Sequence, residues 1–217
     1  MTLPALSLLE TRVLGVLVEK QHTVPDTYPL SLNSLVAGCN QKTAREPVIN
    51  ATEAEVLTAV DGLKGLSLAF EGSGSRVVRF EHNMARVYAL SAASVALLAT
   101  LLLRGPQTAA ELRLHCERLH RFADISAVEA CLDELAAREP ARVIKLPRAP
   151  GAREARWAQL LCGEVVLDAT EAANADAGVS AGEIAALKAE QARLATELAQ
   201  LRTLVQRMAA ELGIDPG

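Results

Sequence analysis

Aromatic residues make up only 3% of this 217-residue chain. With so few of them, the core must be built from Leu, Val and Ala, a composition that suits packed helices. Cysteine is scarce as well: Cys39, Cys116, Cys131 and Cys162 stand 77, 15 and 31 residues apart, so there is no C-x-x-C pair and no disulfide-scaffold density. They read as reduced, buried small hydrophobes. Long apolar runs are missing too. The longest, Ala92 to Leu103, falls well short of the ~20 residues of a membrane-spanning helix. The N-terminus shows no basic region followed by a signal-like core, so the expectation is a cytoplasmic protein with no membrane partner. No P-loop, dinucleotide-binding glycine pattern or H-E-x-x-H motif occurs. Of His115, Cys116 and His120, only the last two share a helical face, too few ligands for a structural zinc site. No catalytic residue, metal or cofactor is assigned, and no enzyme is expected. Excess positive charge is also lacking. Residues 1 to 162 carry 18 basic and 17 acidic side chains, or +1, whereas residues 163 to 217 carry 4 and 9, or -5. The body therefore lacks the basic surplus that marks a dedicated nucleic-acid-binding domain.

What the chain does have is order. An unbroken heptad runs through Ile184, Leu187, Gln191, Leu194, Leu198, Leu201, Val205, Met208 and Leu212. Its alternating steps of three and four keep one apolar seam toward a partner helix. Gln191 falls at an a position, where a buried amide fixes register and strand number at some cost in stability. Glu183 and Glu197 at g face Lys188 and Arg202 at e in a parallel pair, so residues 183–213 are expected to form a parallel homodimeric coiled coil. The alternative is a helix folded back on its own body, since Ala195, Ala209 and Leu204 widen the apolar stripe.

The body repeats one plan twice. Ser7 with Glu10 forms a capping box ahead of helical spacing through Lys20, Ser31 caps a short second helix to Cys39, and Thr52 with Glu55 opens a third. Strand candidates Leu66 to Glu71 and Arg76 to Glu81 then flank Gly72-Ser73-Gly74-Ser75. In the second copy Ser91 opens a helix stopped by Gly105-Pro106, Thr108 caps another, and Ser126 with Glu129 boxes a third. Strand candidates Val143 to Pro147 and Arg156 to Leu160 follow, around Pro150-Gly151. Cys39 and Cys116 each lie eight residues after their helix cap, as duplicated buried positions would. The expected fold is mainly α with small β wings (α+β). It comprises a first winged-helix domain over 1–88, a second over 89–162, a linker over 163–182 and the coiled-coil helix over 183–213.

Three segments carry a family resemblance. They are Pro25 to Asn33, running on through Cys39-Asn40-Gln41-Lys42 to Pro47-Val48; His120, Phe122, Ala123 and Asp124; and Leu146-Pro147-Arg148 with Pro150-Gly151, Arg153-Glu154 and Arg156. Over roughly residues 6 to 163 the chain resembles the YceH family of bacterial proteins. The resemblance implies tandem winged helices with an often coiled-coil tail, and it implies no activity. It singles out Tyr28, Asn33, Asn40, Gln41, His120 and Asp124 as motif positions without an assigned role. The chain departs from the family pattern at Thr43-Ala44, where Ser-Asn is usual, and at Glu46, which replaces an Asp.

A winged helix ordinarily lays its third helix in the major groove, where Arg, Lys, Asn and Gln read base edges. Here that helix offers Glu53, Glu55, Asp61 and only Lys64 in the first copy, and Glu129, Asp133, Glu134 and only Arg138 in the second. Carboxylates facing phosphates repel, which disfavours that mode. The cations are concentrated instead on the second hairpin, as Arg142, Lys145, Arg148, Arg153 and Arg156, and on the loop holding Lys42 and Arg45. The expected function is a homodimeric, DNA-associated, regulator-like protein that grips phosphates through its second wing. The alternative is a protein-interaction scaffold whose acidic third helices dock basic partners and which never touches DNA. Open arginines on the wing favour the first, and an open apolar groove favours the second.

Overall fold

Hydroxyl and carboxylate caps divide the chain into helices, as seen in a computed structural model that describes residues 4–72, 77–148 and 151–163. The coiled coil over 183–213 with its dimerisation seam, the linker from residue 164 onward and the hairpin tips at 73–76 and 149–150 lie outside the described residues. Helix α1 (Leu8–Thr23) starts at Ser7, whose Oγ accepts from Glu10 N at 3.2 Å while the Glu10 carboxylate accepts from Ser7 N at 2.7 Å. Helices α2 (Leu32–Cys39) and α3 (Glu53–Gly65) start at Ser31 and Thr52, the second with a full capping box to Glu55. Strands β1 (Leu30–Ser31), β2 (Ala69–Gly72) and β3 (Arg79–His82) form an antiparallel sheet in the order β1-β3-β2, and the short helix α4 (Met84–Val87) follows. Pairing is in register from Ala69↔His82 to Gly72↔Arg79, with Leu30↔Phe80 on the other side of β3.

The second half follows the same order. Helix α5 (Ala92–Arg104) is capped by Ser91 and ended by Gly105 at φ 71, a left-handed conformation that glycine adopts freely. Helix α6 (Ala109–His115) has the Thr108–Glu111 capping box, and α7 (Ile125–Ala136) leads to the antiparallel pair β4 (Val143–Lys145) and β5 (Trp157–Gln159). Gln107 and Trp157 exchange both backbone hydrogen bonds, at 3.1 and 2.7 Å, and so stand where β1 pairs with β3 in the first half. The result is a mixed α+β fold whose helices and small antiparallel sheets are consistent with a winged-helix-like architecture.

One apolar cluster runs through both halves. It joins Val13, Leu14 and Leu17 of α1 to Val56, Val60 and Leu63 of α3, Leu97 and Leu101 of α5, and Leu132 and Leu135 of α7. Helix α1 lies close on α5: a Cβ at Gly15 would meet the Leu103 side chain at 2.9 Å, which accounts for glycine in a helix interior. Backbone bonds from Leu6 N to Leu161 O and from Glu46 N to Leu103 O add links between sequence-distant segments.

Several expectations need correction. Helix α7 begins at Asp124, whose carboxylate accepts from Ala127 N at 2.8 Å, rather than at Ser126, which sits inside the helix. A carboxylate two residues earlier captures the free N–H groups and also complements the positive end of the helix dipole. Cys39 and Cys116 are fully buried, but Cys131 is half-buried and Cys162 exposed, so only the equivalent pair behaves as small core hydrophobes. Strand β1 and helix α4 were not anticipated. Both are too short to show a period.

Candidate functional site

The loop after α2 is built around two buried guanidinium groups. Arg12, in the middle of the apolar face of α1, is 0% exposed and donates to Cys39 O at 3.2 Å and Pro47 O at 2.6 Å. Burial, and then the neighbouring Arg45 charge, lower its affinity for a proton. Arg45 donates from Nε to Gly38 O at 3.0 Å and grips Glu19 with both amino groups at 3.1 and 2.7 Å. For Glu19, burial pushes the carboxyl pKa upward, but the Arg45 hydrogen bonds and charge outweigh it, and the net shift is downward. Beside these groups burial drives the Cys39 thiol up to about 12, so it stays protonated.

Arg45 therefore leaves the set of candidate phosphate ligands: its side chain is enclosed and its charge is matched by Glu19. Lys42 remains exposed. The amides of this loop also serve the backbone. Asn40 clamps Ala51 from both ends, donating to its O at 2.8 Å and accepting from its N at 2.7 Å, and Gln41 donates to Thr43 O at 3.0 Å. Ala44 takes φ 58, the left-handed region that Asn tolerates better than Ala. The Asn usual at this position in the family pattern thus has a backbone role available to it that needs no ligand. Of the other motif positions, Tyr28 accepts from His82 N at 2.9 Å, His120 packs edge-on against Phe122 and Asp124 caps α7. Asn33 differs: it is exposed on the lip of a groove.

The second hairpin divides its cations into two kinds. Arg142, half-buried, stacks over the Tyr88 ring at 4.6 Å, and its Nε is enclosed without an acceptor. It is a packing residue rather than an open phosphate ligand. Lys145 lies 5.3 Å from the Trp157 ring centroid with its side chain exposed. Arg148, Arg153 and Arg156 are all exposed, and among the described residues none of them enters an ion pair. With Glu154 as the only acid on this stretch, Lys145 and these arginines leave a local charge of four minus one, or +3.

The first hairpin has the opposite character. Lys64 on α3 is held by Asp61 at 3.3 Å and Glu71 at 2.7 Å, and Arg79 donates to the carbonyls of Thr27 and Pro29. Between α2, α3 and β3 lies an open groove of about 680 Å³. Its apolar lining includes Leu32, Leu57, Val78 and Phe80, and Glu53, Asp61 and Glu71 contribute carboxylates. Helix α7 likewise shows Glu129, Asp133 and Glu134 to solvent. Arg138 at its end donates to the carbonyls of Tyr88 and Ala89.

No group of three or more His, Cys, Asp or Glu suited to a metal ion occurs among the described residues. His115 is bonded to Gln107 through Nδ1, and the Cys116 thiol donates to Leu112 O, both within the protein interior or its edge. Sequence reasoning missed the Arg12 site and the groove. A lone arginine immediately before the apolar run Val13 to Val18 was the available signal for the first; the second is created by residues far apart in sequence.

Residues 6–152 match the family model described as "Protein of unknown function, DUF480". The chain is 69% identical over 214 residues to a UPF0502 protein of Paraburkholderia phytofirmans, covering 98% of this chain and 92% of that one. It is 70% identical over 210 residues to a UPF0502 protein of Burkholderia pseudomallei, covering 96% and 90%. With a UPF0502 protein of Burkholderia thailandensis it shares 68% over 212 residues, covering 97% and 91%. Matches of that extent, on a chain whose motif positions mostly hold its own loops together, make it a member of the DUF480/UPF0502 family of bacterial proteins.

Proposed function

We propose that this protein is a homodimeric, DNA-associated, regulator-like protein that holds duplex phosphates through its second wing, with its C-terminal heptad as the dimerisation device. The observation that carries the reading is the set Lys145, Arg148, Arg153 and Arg156 on one hairpin, all exposed and, among the described residues, in no ion pair. Phosphate contacts position a protein without reading sequence. The outer faces of α3 and α7 present carboxylates that repel phosphates, and the one lysine there, Lys64, is paired with Asp61 and Glu71, so binding through the wing alone is expected to be indifferent to sequence. The test is the affinity for mixed-sequence duplexes at about 50 and 200 mM salt: four phosphate contacts weaken binding about 100-fold over that range. Absence of binding at the lower salt contradicts the reading.

A second reading, a protein-interaction scaffold, is favoured by the open apolar groove beside α3. The two readings use different faces and are tested separately.

A further inference from the structure

We propose that the groove between α2, α3 and β3 is a docking site for a basic amphipathic helix of a partner protein. The proposal deepens the second reading and rests on it. Glu53, Leu57, Asp61 and Lys64 recur along α3 at helical spacing and all line the groove, so one face of that helix forms a wall. Leu57 and Val78 are 40% and 48% exposed, a cost that solvent imposes on the free protein and that a partner's apolar side chains would relieve.

The charge on the lip selects the partner. Among the described residues Glu53, Asp61 and Glu71 stand against Lys64 and Arg79, three carboxylates to two cations, leaving one net negative charge. Neither cation is displayed to an incoming anion: Lys64 lies between Asp61 and Glu71, and Arg79 donates to the carbonyls of Thr27 and Pro29. Glu53 enters no ion pair among the described residues, and the Asp61 side chain is 60% exposed. A phosphate backbone is repelled at this lip, whereas Lys or Arg flanking an apolar stripe finds both an apolar floor and carboxylates at its edge. Helix-in-groove recognition presents such a stripe at i, i+3, i+4 and i+7.

The test uses the full-length protein and two labelled peptides of about 16 residues with Leu at those positions, one flanked by Lys and Arg and the other by Glu. Anisotropy at about 50 mM salt is expected to show the basic peptide binding at least ~10-fold more tightly than the acidic one. Leu57→Asp, at a 40% exposed position and with its fold checked by the circular dichroism melt, is expected to weaken the basic peptide by ~10-fold or more, and Glu53→Lys by several-fold. Equal binding of the two peptides overturns the charge argument while the groove stands as a docking surface. Binding of neither overturns both the proposal and the reading beneath it. Undiminished binding to Leu57→Asp places the contact elsewhere and overturns the proposal.

Discussion

Arg45 shows most clearly what a single residue conceals in a sequence. Its neighbours Lys42 and Gln41 are polar, so a solvent-facing cation is the natural reading, yet its partner Glu19 lies 26 residues earlier on α1. Burial through a sequence-distant partner leaves no local trace, and the same holds for Arg142 over the Tyr88 ring. Glu19→Gln leaves the Arg45 guanidinium enclosed without its counter-charge and is expected to cost about 3 to 5 kcal/mol in denaturant unfolding, whereas removing both partners together costs less than either alone. A loss under about 1 kcal/mol for Glu19→Gln would contradict the buried pair. His82 gives a pH dependence. Its Nε2 is bonded to Gln21 at 2.7 Å and its Nδ1 accepts from Met84 N, so the ring is held neutral, and burial lowers its pKa from 6.5 to about 4. Below 6.5 the unfolded chain takes up a proton that the folded ring refuses, so stability is fully present above that value and falls as pH drops toward 4. Burial lowers the His115 pKa as well and adds in the same direction. Unfolding free energies measured between pH 7 and 5 should decline for the natural protein and decline less for His82→Asn; parallel slopes would contradict this account.

Elements were legible wherever their signal is local. Ser7, Ser31, Thr52, Ser91 and Thr108 all cap the helices that their spacing indicates, because a capping box is read within four residues of chain. The S-x-x-E pattern at Ser126 misled for the same reason: it competes with a stronger cap, Asp124, two residues upstream. Asp124→Ala is expected to cost about 0.5 to 2 kcal/mol, and Ser126→Ala to fall within about 0.5 kcal/mol of zero. Reversed magnitudes in thermal or denaturant unfolding would restore Ser126 as the cap. The strands were located approximately, their ends within three residues of those expected, and β1 was invisible because two residues carry no alternation. The groove was beyond sequence reading altogether. Leu32 on α2, Leu57 on α3 and Phe80 on β3 come together only through the sheet order β1-β3-β2.

At the scale of the whole molecule, charge separates two surfaces of one core. The second wing displays unmatched cations, and the first winged-helix-like half presents an apolar groove with an acidic lip. The repeated order of helix caps was readable in the sequence, but the shared core was not, since the contact of Gly15 with Leu103 depends on how α1 meets α5. With the heptad over 183–213 proposed as the dimerisation device, truncation after Gly178 should yield a monomer at micromolar concentration in sedimentation; a persistent dimer would move the interface to the body. The proposed contact with DNA lies on the second wing. Its most direct test is mixed-sequence duplex affinity at about 50 and 200 mM salt for the natural protein and for Arg148→Ala, Arg153→Ala and Arg156→Ala combined. At ~0.9 per phosphate, the claim predicts that the logarithmic salt slope falls by about 3 in the variant and that binding at the lower salt is largely lost. A variant that binds DNA as tightly as the natural protein, with the same slope, would contradict it.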